Sequence, residues 1–254
     1  GRMLLEARSR EALDEALVIA SALSVQDVRD RPMEAQQQAD QAHVKFDDEK
    51  SEFTGYLKLW KWIHEARGGL CAPAAGARAA ERSAPCPPPA LRAPPLPTQN
   101  APPRKLLSQA TTHKLSNRQY EQLLRQNFVN IRRVREWKDI HSQLHTVVAE
   151  HKWRLNSTPA SYEQLHLSML SGLLGNIGCK LETEGQSGEY LGARSIKFFP
   201  HPGAHLVKKP GRWIVAAELV ETTRLFGRGI ANIEPQWLEQ VGGHLLKKQL
   251  LDPH

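Results

Sequence analysis

Residues 188–235 read GEYLGARSIKFFPHPGAHLVKKPGRWIVAAELVETTRLFGRGIANIEP, and this stretch decides the fold. Short runs of β-branched and aromatic residues alternate with Pro-Gly and Gly-Arg punctuation, the pattern of strands joined by tight turns. Seven basic residues lie in it (Arg194, Lys197, Lys208, Lys209, Arg212, Arg224 and Arg228), with Glu218 and Glu221 among its few acids. Everything upstream reads as helix or linker. The fold class is therefore α+β, a helical body that closes on a small basic β-unit.

On the C-terminal side, Glu234-Pro235 opens a last helix with proline at an early position. Trp237, Leu238, Val241, Leu245 and Leu246 form its buried face. On the N-terminal side, Tyr162 to Ile177 is predicted as an apolar helix carrying Leu165, Met169, Leu170, Leu173 and Leu174, stopped by Gly175 and Gly178. Asn156 to Ala160 is a polar break. Residues 117–149 are predicted as the longest helix, with Tyr120, Leu123, Leu124, Phe128, Ile131, Val134 and Trp137 on the buried face. Arg118, Arg125 and Arg132 recur seven apart on the opposite side, and Arg133 and Arg135 broaden that stripe. Such a stripe is either a solvated helix face or a basic track for a nucleic-acid backbone.

Further upstream, Phe53, Tyr56, Leu57, Trp60 and Ile63 mark an amphipathic helix that ends before Gly68-Gly69. Leu13, Ala16, Leu17, Ala20 and Leu23 mark another, widened by Val18 and Ile19 into a buried element, with Ser9 as a candidate N-cap. Met33 to Lys45 is a polar, Gln-rich helix, and Ser24 to Pro32 a loop. Residues 71–103 differ in kind, with 10 of the chain's 17 prolines and ten alanines. That composition cannot bury enough apolar surface to offset its ordering entropy, so it predicts a disordered or polyproline II segment. It acts as a linker or as a docking tract for a proline-binding partner.

The chain has 254 residues, a net charge of +7 and a pI near 9.4. A chain this long can bury a core without disulfide or metal staples. The charge points to a polyanionic partner, nucleic acid before membrane. It is unevenly placed: residues 1–70 sum to −3 and residues 104–160 to +7. Cys71, Cys86 and Cys179 form no Cys-x-x-Cys pair, which suits a reducing cytoplasm. No apolar run approaches the ~18 residues of a membrane span, and no signal peptide opens the chain. Both ends look cut from something longer.

Signatures of catalysis are missing: no phosphate-binding Gly-x-x-x-x-Gly-Lys loop, no His-Glu-x-x-His, no Gly-x-Ser-x-Gly and no zinc-spaced cysteine set. His141 and His145 have ligand spacing on one helix but no further ligand in sight. His201 and His205 flank the Pro202-Gly203 turn, where solvent-facing histidines are the default. What remains is binding. Phe198, Trp213 and Phe226 stand among basic residues, as either stacking platforms or barrel core. Lys208-Lys209-Pro210-Gly211-Arg212 is a cation-loaded turn that should project from between two strands, as loops do at the groove of oligonucleotide-binding barrels.

Several tracts resemble the C-terminal accessory region of DEAH-box ATP-dependent RNA helicases of the bacterial HrpA type. These are Arg2 to Ala7, Leu13 to Ser24, Phe128 to Ile140, Phe199 to Ala204, Lys209 to Val215 and Glu218 to Arg224; Ser24 to Pro32 and Leu173 to Gly178 carry the HrpA preference. The resemblance implies a winged-helix tail over 1–8 and a helical ratchet domain over 9–69 and 113–161. It places a disordered Pro/Ala-rich insertion over 70–112 and an OB-fold barrel with flanking helices over 162–254. It further implies that the chain caps the single-stranded RNA channel of RecA-like motor domains of the same protein. Those domains, with their ATP and Mg, lie outside this sequence, and no cofactor is expected in the chain itself. The expected RNA contacts are Arg118, Arg125, Arg132, Arg133, Arg194, Lys197, Lys208, Lys209 and Arg212. The expected setting is a cytoplasmic monomer with no membrane contact. A different class, a non-catalytic interaction scaffold with a Pro-rich docking tract, stays open on the residues alone. Val28 stands where the family pattern has proline, which loosens one loop.

Overall fold

The computed structural model describes residues 1–68, 115–181 and 188–243. The expected disordered insertion and the outer end of the last helix, with Leu245 and Leu246, lie outside these residues. Helices α1 (Arg2–Ser9), α2 (Leu13–Ala22), α3 (Gln36–His43), α4 (Glu52–Ala66), α5 (Asn117–Gln126) and α6 (Ile131–Glu150) precede the barrel. Helix α7 (Tyr162–Gly172) leads into it, strands β1 (Ile177–Lys180), β2 (Tyr190–Gly192), β3 (Lys197–Pro200), β4 (Trp213–Glu221) and β5 (Leu225–Asn232) close it, and α8 (Pro235–Gly242) follows.

The helix starts are written locally. Ser51 accepts from the backbone N–H groups of Phe53 and Thr54 to start α4. Ser116 with Gln119, and Ser161 with Gln164, form reciprocal capping boxes at α5 and α7. Each such cap contributes about 1 kcal/mol. Pro235 occupies the first turn of α8, where its missing N–H costs nothing.

Three predicted boundaries are corrected. The single helix over 117–149 is two helices, broken at 127–130. Asn127 ends α5, Phe128 takes a φ of +53°, and Asn130 caps α6 by accepting from the N–H groups of Arg132 and Arg133. Apolar periodicity runs through the break, so pattern alone missed it. The helix predicted to Ile177 ends at Gly172, and Gly178 belongs to β1, where it faces the barrel interior. A Cβ on Gly178 would lie 2.6 Å from the Phe198 ring, so close packing, not helix termination, explains this glycine. Ser9 is the last residue of α1 and donates to the Glu6 carbonyl; the cap position of α2 is Ala12.

The barrel is closed in the order β1-β2-β3-β5-β4, antiparallel except where β3 runs parallel to β5. Its interior is Tyr190, Phe198, Leu206, Ile214 and Ile230. Of two further cores, one binds the barrel to the helices and the other lies within the helical part. One joins α1, α2 and α7 to Ile177, Val215, Ala231, Trp237 and Leu238. The other packs α2, α4, α5 and α6 around Trp137, whose indole N–H reaches the Val18 carbonyl (3.1 Å) and Ser21 hydroxyl (3.0 Å).

A polar junction completes the attachment. Ser51 pairs with Ala231, and the Ile230 N–H donates to the buried Glu52 carboxylate at 2.7 Å. His166, fully buried on α7, sits 2.6 Å from the Ser51 hydroxyl and 2.7 Å from the Tyr162 carbonyl. Burial pushes His166 down to about 4, so it is neutral, with Nδ1–H donating to the carbonyl and Nε2 accepting from Ser51. The architecture is a helical domain followed by a closed five-stranded barrel.

Candidate nucleic-acid interface

The break between α5 and α6 makes a cleft. Loop 24–32 lies along it as a short antiparallel contact: Arg29 pairs with Val129, the Asp30 N–H donates to the Phe128 carbonyl (2.8 Å), and the Asn130 N–H donates to the Val28 carbonyl (2.7 Å). The loop is pinned from beneath by Asp27 and Arg29, linked through three contacts of 2.8–3.2 Å, with the Arg29 guanidinium over the Tyr56 ring. Burial raises the Asp27 pKa, but the adjacent guanidinium wins and holds this carboxyl below its usual range. Arg133 spans the gap from α6, donating to the Asp27 carbonyl (2.8 Å) and Asp30 carboxylate (2.9 Å). The walls of the resulting cleft include Arg31, Arg125, Phe128 and Arg132.

The nine expected contact residues therefore fall into separate places. Arg125 and Arg132 are brought into this one cleft, joined by Arg31, which the sequence reading passed over. Arg118 is exposed at the start of α5, on the far side of the break from α6. Arg132 and Arg133 are neighbours with opposite fates: the first side chain is 89% exposed and the second 25%, turned inward onto Asp30. Lys208, Lys209 and Arg212 are exposed on the connection from β3 to β4. The base of that connection is tied down: the Gly211 N–H donates to Asn232 Oδ1 (2.9 Å) and the Tyr190 hydroxyl donates to the Gly211 carbonyl (2.6 Å). Arg194, at a φ of +57°, is exposed in the turn from β2 to β3, at the opposite end of β3 from Lys208. Lys197 pairs with Glu189 across 3.2 Å.

The aromatic residues also divide. Phe198 points inward and is fully buried in the barrel core. Trp213 packs on the helical side of β4. Phe226 is half-buried on the outer face beside Phe199 (6.5 Å between ring centroids), with Arg224 over the Phe199 ring. His201 meets Phe226 edge-on at 5.9 Å. Burial and the charge of Arg228 push His201 below the usual histidine value, with Arg31 adding to the effect. Arg31 thus stands between the helical cleft and the outer face of the barrel. Asn127 and Asn130, two cap-forming residues bracketing Phe128, were the sequence signal that could have located the cleft.

Histidine positions correct the sequence reading elsewhere. His205 is not a solvent-facing loop residue. It turns into the domain junction, 2.5 Å from the Asp48 carbonyl and 3.5 Å from both Asp47 and Glu52, and hydrogen bonding to Glu52 raises its pKa. His141 packs against Trp60, and burial, with His145 and His64, holds it at about 4. Among the described residues no group of three His, Cys, Asp or Glu side chains is placed to hold a metal ion. None of the described helices is long and apolar enough to cross a membrane.

Comparison with known proteins matches two segments of the chain to family models. Residues 1–59 match the helicase associated domain (HA2), ratchet-like, and residues 165–245 match the oligonucleotide/oligosaccharide-binding (OB)-fold. The chain is 37% identical over 253 residues, 100% of its length, to the ATP-dependent RNA helicase HrpA of Escherichia coli (strain K12), and covers 16% of that protein. It is 35% identical over 252 residues, 99% of its length, to the HrpA homolog of Haemophilus influenzae (strain ATCC 51907 / DSM 11121 / KW20 / Rd), again 16% of that protein. The chain thus spans about a sixth of the length of the curated relatives it matches.

Proposed function

The chain is built as a C-terminal region of an HrpA-type helicase with an accessory role, and from that premise we propose that it holds single-stranded RNA for motor domains of the same protein. The observation that carries this reading is the placement of exposed cations on both halves of one continuous body. Lys208, Lys209 and Arg212 crowd the β3–β4 connection of the barrel, and Arg125 and Arg132 share the helical cleft. A rigid body with cations on two faces holds a polyanionic strand at more than one point, and the junction through Ser51, Glu52 and His166 fixes the spacing between them.

Apart from Arg133, the expected cations act through charge on the phosphates, so binding is salt-dependent and weakly sequence-selective. Arg118, Arg194 and Lys197 serve as outlying contacts, and Arg133 contributes mainly by shaping the cleft. ATP and Mg belong to the motor domains, whose channel this region caps in a cytoplasmic, monomeric enzyme. The divisions at 8/9, 69/70, 112/113 and 161/162 belong to the same reading.

Filter binding of single-stranded RNA at two salt concentrations tests it. Replacing Lys208, Lys209 and Arg212 by alanine should weaken binding and flatten the log–log salt slope by up to roughly 0.7 per lost contact. Unchanged affinity and slope would remove the loop from the interface. No salt-dependent binding by the unaltered chain would favour the interaction scaffold instead.

A further inference from the structure

We propose that Phe128 is a base-stacking platform, and that the cleft around it takes one nucleotide of single-stranded RNA with Arg31, Arg125 and Arg132 on the flanking phosphates. This rests on the RNA-binding reading above and assigns it a site.

Phe128 is in the wrong place for a packing residue. It adopts a φ of +53°, a conformation that asparagine or glycine takes readily and a bulky aromatic takes at a cost. The usual return for that cost is burial, and it is lacking here. Phe128 is only half-buried, belongs to none of the three apolar cores, and meets no other ring among the described residues. Its neighbour Val129 supplies the packing, at 2% exposure. A strained aromatic with an open face is explained by something that arrives to cover it.

The chemistry of the cleft says what arrives. Three arginines line it from three elements: loop 24–32, α5 and α6. The carboxylates that could oppose an anion are already engaged. Asp30 accepts from Arg133 and from Asn130 Nδ2 (3.0 Å). Asp40 takes Nε and Nη2 of Arg31, both at 2.7 Å, and leaves Nη1 to other acceptors. Arg132 meets Glu136 at 3.3 Å in an exposed i,i+4 pair that a phosphate can readily replace. The cleft measures about 580 Å³ and is open on one side, within the range of about 300–1,000 Å³ typical of small-ligand sites. A flat apolar ring among cations matches a nucleotide, which offers a π-face and a phosphate together. Arg31 Nη1 also lies about 3.5 Å from where a Cβ would sit on Gly203. A strand leaving the cleft past Arg31 therefore meets His201 and Phe226 on the barrel next.

Phe128→Asn separates the ligand role from a structural one, because asparagine suits the positive φ. In fluorescence anisotropy with labelled oligouridylate, Phe128→Asn should bind roughly fivefold or more weakly with an unchanged salt slope, while melting at or above the unaltered chain. Phe128→Tyr should bind within about twofold of it. Arg125→Ala should lower the slope by roughly 0.7. An oligomer of abasic ribose phosphates should bind the unaltered chain and Phe128→Asn alike. Should Phe128→Asn bind oligouridylate normally, or melt well below the unaltered chain, Phe128 is no platform, while the RNA reading stands. Should the unaltered chain bind no RNA at low salt, both fall together.

Discussion

The helical cleft and the β3–β4 connection both present cations, and they are built on opposite plans. In the cleft, Arg29 and Arg133 are spent inward on Asp27 and Asp30, and only the residues these clamps leave over, Arg31, Arg125 and Arg132, face out. On the connection, Lys208, Lys209 and Arg212 all face solvent, and the backbone beneath them is held by uncharged partners, Asn232 and the Tyr190 hydroxyl. One surface has its shape made by charged clamps, the other has its backbone held by uncharged groups. Damage to the first should register in stability, and damage to the second in binding alone.

The strongest way to break this contrast is to hollow the helical core that holds α6. Trp137→Ala empties a fully buried site on α6 and should cost about 3–5 kcal/mol, read as a lower urea midpoint. A loss under 1 kcal/mol would mean that α6 is not held as described.

The barrel's own anchoring is tested by acid. His166 has its pKa depressed to about 4 against 6.5 unfolded, so its contribution is fully present above pH 6.5 and is lost as pH falls toward 4. For this fully buried group the loss is on the order of 3 kcal/mol, with His141 acting in the same direction. His205 has the opposite sign. Its raised pKa contributes stability below pH 6.5 that fades as pH rises through the folded value, against Asp47, the Asp48 carbonyl and Glu52. Urea midpoints at pH 7 and 4.5 should fall on acidification, and His166→Gln should flatten part of the fall.

A smaller effect separates two adjacent arginines. Arg133→Ala strips two contacts from the loop and should cost roughly 1–2 kcal/mol after allowance for partial exposure, whereas Arg132→Ala should stay within about 0.5. Equal losses would erase the distinction between clamp and contact. Smallest of all, the triple alanine variant of Lys208, Lys209 and Arg212 should leave the midpoint within about 0.5 kcal/mol while reducing RNA binding.

These contrasts also show where the sequence was readable. Helices α2, α4 and α8, the strand-turn character of 188–235 and the cation-bearing turn all follow from periodicity and turn residues, because these are local signals. The continuous reading across 117–149 failed for the converse reason. Phe128 keeps the apolar rhythm, yet it takes a φ of +53° and stands half-buried, while Val129, off that rhythm, is the residue buried against loop 24–32. His205 was misread because its partners Asp47, Asp48 and Glu52 lie over 150 residues away.

By itself, then, the sequence determined the element types, the excess of positive charge in the second half and the resemblance to a helicase accessory region. Each is a property of a residue and its near neighbours. Only the tertiary structure decided which cations face outward and which aromatic stands free. Arg132 and Arg133 are chemically the same and one position apart. What separates them is the helix rotation set by Asn130 and by an aspartate 103 residues earlier in the chain. Phe198 and Phe199 part company because closing the barrel sends alternate side chains to opposite faces. Long-range packing chooses among local equivalents, and no pattern within one segment records that choice.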